Sequence, residues 1–123
     1  MFIPVISVAL GGAFGAVARY ITAQAMARFM GFGFPVGTLA VNVVGSFLMG
    51  VAFVYLSQNT KLSPLLVTGF LGGFTTFSAF SLDAFTLYER GATSLAAVYM
   101  IGSVVLSIAA LVAGITLVRG LSA

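Results

Sequence analysis

Histidine and cysteine are both absent from this 123-residue chain, and only 6% of its residues are charged. Without imidazole or thiol there is no histidine base, no thiolate nucleophile, no disulfide and no conventional zinc or iron–sulfur site. Asp83 and Glu89 are the only acids, and their spacing offers no obvious carboxylate dyad. Most hydrolytic and redox chemistry is excluded, and the chain reads as a non-enzyme. The charge deficit excludes a soluble fold as well, because soluble domains carry about 25% charged residues. Five Lys and Arg give a net charge of +3, but they are scattered and form no basic patch of the kind phosphate binding needs. Nucleic acid is set aside as a partner.

What is present is hydrocarbon: 61% of the residues are hydrophobic and the mean hydropathy is +1.21. A helix needs about 20 apolar residues to cross a bilayer core. Residues 1–18, 29–60, 62–82 and 91–118 are free of charge. Turn signals fall at Gly31-Phe32-Gly33-Phe34-Pro35, Gln58-Asn59-Thr60-Lys61 and Arg90-Gly91. Together they predict four spans, roughly 3–27, 36–57, 64–87 and 94–118, with Pro35 and Pro64 placed to open the second and third. The fold class is an all-α integral membrane protein with residues 1–123 as one domain. Membrane lipid is then its solvent. The first span reads as a retained helix, not a cleaved signal peptide, since Arg19 follows the apolar run and no basic region precedes it.

Orientation follows the Lys/Arg excess of short loops. Lys61 and Arg119 mark one side, Arg28 and Arg90 the other, with Arg19 close to the latter inside the first helix. So flat a bias predicts insertion in both orientations and permits two copies to pair antiparallel. Four helices also enclose little interior, which favours an oligomer. The small-residue spacings Gly11 to Gly15, Gly12 to Ala16, Ser46 to Gly50 and Gly69 to Gly73 allow close helix approach, and packing accounts for them without any further function.

Polar groups at membrane depth are costly and need a partner or a function. Asn42 lies about 10 Å into the second helix, among valines. Alone it fits an interhelical hydrogen bond better than a transport role. In the third span, Gly72-Gly73-Phe74-Thr75-Thr76 makes a poor helix interior. Either the helix breaks there, freeing carbonyls that suit a hard cation such as Na⁺, or it stays intact as a Gly-rich packing patch. Phe77 and Phe80 share a face, with Ser81 one turn beyond Phe77. Aromatic edges are weakly positive and can face an anion, although most phenylalanines here serve packing or lipid contact. Tyr99, Ser103 and Ser107 form a hydroxyl stripe on the fourth helix. Such hydroxyls usually bond the preceding turn, yet they can also donate to an anion. Asp83 is expected near a mouth. Taken together, these neutral donors suit a small, strongly hydrated anion.

Three blocks then carry a resemblance: Gly11-Gly12-Ala13-Phe14-Gly15-Ala16-Val17-Ala18-Arg19-Tyr20, Pro35-Val36-Gly37-Thr38-Leu39-Ala40-Val41-Asn42-Val43-Val44-Gly45-Ser46, and Thr68-Gly69-Phe70-Leu71-Gly72-Gly73-Phe74-Thr75-Thr76-Phe77-Ser78-Ala79-Phe80-Ser81. In order, length and span number, the chain resembles the Fluc (CrcB-type) fluoride channels. That resemblance implies a broken third helix, an antiparallel dual-topology homodimer with two fluoride pathways, and one structural Na⁺ between the copies. By position, Phe77 and Phe80 would be the box aromatics, Asn42 the pore amide and Tyr99, Ser103 and Ser107 the polar track, with Ser81 also on the pathway. Main-chain carbonyls of Gly72 and Thr75 would hold the Na⁺, and Arg19 would draw anions toward the vestibule. Ala79 departs from the pattern, since the family usually has Thr there, which raises a heterodimer with a paralogue as an alternative assembly. The implied activity is passive export of F⁻ across the inner (plasma) membrane, which protects against fluoride toxicity. The competing readings are a small multidrug-type dual-topology transporter and a structural membrane subunit.

Overall fold

The computed structural model describes residues 2–31, 33–56 and 62–122, and all regular structure among them is helical. Helix α1 spans Phe2–Met30 and α2 spans Val36–Leu56. The third span begins with α3, Pro64–Leu71, wound as a π-helix, and continues into the single α-helical turn α4, Gly72–Phe74. After an interruption it resumes as α5, Ser78–Glu89. Helix α6 covers Thr93–Ser122. Four segments are long and apolar enough to cross a membrane: Ile3–Met30, Val36–Leu56, Pro64–Glu89 and Thr93–Leu121. The predicted four spans are therefore present, with the first, third and fourth somewhat longer than expected. The turn at Gln58-Asn59-Thr60-Lys61 and the sidedness of Lys61 lie outside the described residues, as does Phe32.

The ends follow local chemistry. Gly31 takes a φ of +84° and its N–H caps the Ala27 carbonyl at 2.8 Å, so α1 stops at a residue that adopts the left-handed region without a side-chain clash. Gly91, at φ +81°, ends α5 the same way. Its N–H donates to Tyr88 O at 3.0 Å, and Ala92 N–H donates to Leu87 O at 2.9 Å, the two bonds of a Schellman motif. Ala92 also packs against the core that contains Leu87, the hydrophobic contact that accompanies this motif. That tight turn sends α6 back antiparallel along α5.

Helix α2 packs chiefly against α6, α1 lies against α3 and α4, and α5 leans on α6. Small residues set the two closest crossings. A methyl group at Gly50 would strike the Leu111 backbone, and one at Gly114 the Phe47 backbone, so α2 and α6 touch main chain to main chain. The same holds for Gly11 and Gly15 against Leu65 and Phe70. Gly69 and Gly73 meet Gly11, Gly12 and Ala16 in the same way, so all four of the predicted small-residue spacings sit on real helix contacts, as close approach without large side chains requires. A buried cluster of Phe80, Ala84, Leu87, Ala96 and Tyr99 joins α5 to α6 directly behind the interruption.

Candidate functional site

The third span is interrupted at Thr75-Thr76-Phe77. The pair Gly72-Gly73 remains helical, and the chain turns extended one residue after Phe74, with Thr75 at φ −89° and ψ 159°. Thr75 still closes the preceding turn, donating to Leu71 O from its N–H at 3.0 Å and from its hydroxyl at 2.9 Å. Thr76 does not. Its N–H, which a continuous helix would aim at Gly72 O, donates instead to Asn42 Oδ1 at 2.7 Å. Asn42 Nδ2 in turn donates to Thr76 O at 2.8 Å. From the α1 side, Arg19 Nε donates to Gly73 O at 3.2 Å. The Thr76 hydroxyl accepts Ala79 N–H at 3.2 Å and so caps the first turn of α5. Gly45 allows this approach, because a Cβ there would collide with the Thr75 methyl group.

With those donors committed elsewhere, the Gly72 and Thr75 carbonyls accept no hydrogen bond among the described residues. Unpaired carbonyls at membrane depth cost several kcal/mol each, on the order of 2–7, unless something polar meets them. Among the described residues there is no cluster of His, Cys, Asp or Glu that could hold a metal ion. Any cation here would be held by neutral oxygen, the donor type that suits a hard ion such as Na⁺.

Beside the interruption lies a cavity of about 500 Å³. Its wall includes Asn42, Gly72, Thr75, Phe77, Phe80, Ser103 and Ser107, and no charged side chain. Ser103 is 5% exposed, and its Oγ is buried without a hydrogen-bond partner. That sets it apart from Ser81, whose hydroxyl donates back to Phe77 O at 3.0 Å, and from Thr86, which does the same to Leu82 O at 2.8 Å. Back-bonding to the preceding turn is the default for a helical hydroxyl. Asn42 has spent one amide N–H on Thr76 and keeps a second.

Phe77 is 75% exposed whereas Phe80 is 9% exposed, and their ring centres lie 5.4 Å apart at an interplanar angle of 49°. Phe80 is backed by Tyr99 at 5.2 Å, and Tyr99 receives Phe34 at 5.5 Å and 89°, an edge-to-face contact. Tyr99 is fully buried and lies behind the cavity wall, its hydroxyl donating to Asp83 Oδ2 at 3.2 Å. Of the residues singled out in the sequence, the cavity therefore unites Asn42, Gly72, Thr75, Phe77, Phe80, Ser103 and Ser107. Tyr99 supports Phe80 from behind, Ser81 is turned outward, and Arg19 meets the interruption from α1. Ser46, read in the sequence only as a packing position, and Thr76, read only as part of the weak helix segment, also line the cavity. Ser46 lies one turn beyond Asn42, a spacing that could have marked it.

The family model for CrcB-like protein, Camphor Resistance (CrcB), matches residues 6–115. The chain belongs to the CrcB-like family. A relative from Cereibacter sphaeroides is 60% identical over 121 residues, covering 98% of each chain. Relatives from Ruegeria sp. and Rhizobium johnstonii are 56% and 52% identical over 124 residues, covering 98% of this chain and 98% and 99% of theirs. All three carry the name fluoride-specific ion channel FluC. As a CrcB-like protein with four apolar spans, the chain is a multi-pass membrane protein.

Proposed function

We propose that this chain forms a fluoride-selective channel through which F⁻ leaves the cytoplasm passively, across the inner membrane, and so limits fluoride toxicity. The observation that carries the reading is the Ser103 hydroxyl, buried and unpaired on the wall of an uncharged cavity. A small anion that gives up its hydration needs donors in place of water. Ser103, Ser107, the free N–H of Asn42 and the ring edges of Phe77 and Phe80 are all neutral donors. Neutral donors avoid the cost of burying a Lys or Arg in the bilayer.

The physical need is simple. HF crosses lipid as a neutral molecule and ionises inside, where the anion is trapped unless a pore exists. A membrane potential negative inside then drives the anion out. A proton-coupled multidrug carrier finds less support, since the cavity wall holds no carboxylate. The relatives' name, an ion channel, favours the channel over an enzyme or a structural subunit.

In this reading two copies insert antiparallel and form two pathways. The exposure of Phe77, a residue lining the cavity yet 75% exposed in one chain, supports a second copy completing the wall. A heterodimer with a paralogue is the variant that Ala79 invites. The unpaired carbonyls of Gly72 and Thr75 support a structural Na⁺ shared between the copies. Bound there, Na⁺ supplies positive charge that the backbone itself lacks. Efflux from proteoliposomes, followed with a fluoride electrode, tests the reading. Fluoride release that chloride-loaded controls do not match is expected, and vesicles that retain fluoride as protein-free ones do would refute it.

A further inference from the structure

Arg19 lies 11 residues from the end of α1, about 16 Å along the axis at 1.5 Å per residue, within the apolar span Ile3–Met30. A cation at that depth needs a partner. The partner is a main-chain carbonyl: Nε donates to Gly73 O at 3.2 Å. Three residues further, Asn42 holds Thr76 through both its N–H and its carbonyl. The two contacts approach from different helices and enclose the extended residue Thr75. Rewinding the segment into a continuous helix would require Thr76 N–H to leave Asn42 for Gly72 O, and Phe77 N–H to compete with Arg19 for Gly73 O.

We infer that Arg19 is a positioning residue: with Asn42 it clamps the interrupted segment so that the Gly72 and Thr75 carbonyls stay unpaired and available to the cation. The inference rests on the proposed Na⁺ site and gives Arg19 a task distinct from attracting anions. Charge-assisted hydrogen bonds such as Arg19 to Gly73 are the stronger kind, and this one ties the segment to the helix on its far side. Asn42 alone restrains the segment only through Thr76, leaving the Gly73 carbonyl free to take back the Phe77 N–H and extend the helix.

The test uses Arg19→Gln and Arg19→Lys in the purified full-length protein. Thermal stability is titrated with NaCl against N-methylglucamine chloride, and amide hydrogen exchange is followed over residues 72–78. For Arg19→Gln we expect the Na⁺ midpoint to rise about tenfold, the loss of one charged hydrogen bond. At saturating Na⁺ its stability should approach that of the parent. Exchange across residues 72–78 should accelerate, and Arg19→Lys should recover part of both effects. An Arg19→Gln protein that keeps the parental midpoint and exchange but loses fluoride flux overturns the inference and returns Arg19 to anion attraction. If the parent shows no Na⁺ dependence, the cation reading fails; the clamp is then upheld by faster exchange in Arg19→Gln and overturned by unchanged exchange.

Discussion

Asn42 meets Thr76 with both ends of its amide, donating to the carbonyl at 2.8 Å and accepting the N–H at 2.7 Å. The side chain thereby replaces the two backbone partners that an unbroken helix would give Thr76. Asn42 is both the interhelical glue that an intramembrane amide suggests and part of the cavity wall, and its amide keeps one further N–H.

Asn42→Ala should consequently do two things. It should lower stability by about 2–3 kcal/mol, the combined effect of two lost bonds and an uncovered peptide group, and it should abolish fluoride efflux. Thermal melting in detergent and the electrode assay read these separately. A variant with full efflux would remove Asn42 from the pathway.

Ser103→Ala should separate in the opposite sense. The hydroxyl has no partner to lose, so stability should stay within about 0.5 kcal/mol of the parent or rise slightly. Efflux should fall roughly tenfold if one donor to the anion is removed. A less stable protein with normal efflux would mean that Ser103 is structural only.

Phe80→Ile and Phe77→Ile should both stop fluoride flux, with unequal effects on folding. Phe80 is buried between Phe77 and Tyr99, so its replacement should lower the melting temperature. Phe77 is largely exposed within the chain, and its replacement should lower melting less than that of Phe80. Equal destabilisation by the two would contradict this division of roles.

A cysteine placed in the Arg90-Gly91 turn would be the only thiol in the chain, which has none of its own. In sealed vesicles an impermeant maleimide should label about half of the molecules from outside, and the rest only after permeabilisation, if insertion follows the flat Lys/Arg distribution. Labelling confined to one side would exclude the antiparallel pair.

Gly50→Ala tests the packing independently of the site. The added methyl group would meet the Leu111 backbone, and separating α2 from α6 should cost about 1–3 kcal/mol, read as earlier thermal unfolding.

Much of this architecture is legible in the sequence because lipid leaves the chain few choices. Charge-free runs mark the four spans, and glycine marks the turns at Gly31 and Gly91. The interruption is legible in kind and falls where the Gly72-Gly73-Phe74-Thr75-Thr76 run places it, at the threonine end. Gly72-Gly73 looks like the weak point by propensity, yet it stays helical against α1. The helix yields instead at Thr75-Thr76, where Asn42 offers the backbone another partner. The π-helical winding of Pro64–Leu71 has no local signal, since composition does not distinguish it from an α-helix. Nor could the bond from Arg19 to a carbonyl 54 residues away, or that from Tyr99 to Asp83, be read from spacing. Tyr99 belongs to the hydroxyl stripe by periodicity, but burial among Phe34 and Phe80 and the carboxylate at its hydroxyl make it a buttress.

The exposure of Phe77 bears on how such a protein is made. A cavity wall that ends in an uncovered ring is open sideways to lipid, whose tails would fill it and bar any ion. In the proposed pair, a newly inserted single copy would therefore be silent, and conduction would begin only when a second copy arrives. The cell would face no leak from unassembled protein, and expression could run ahead of assembly without harm to the membrane potential.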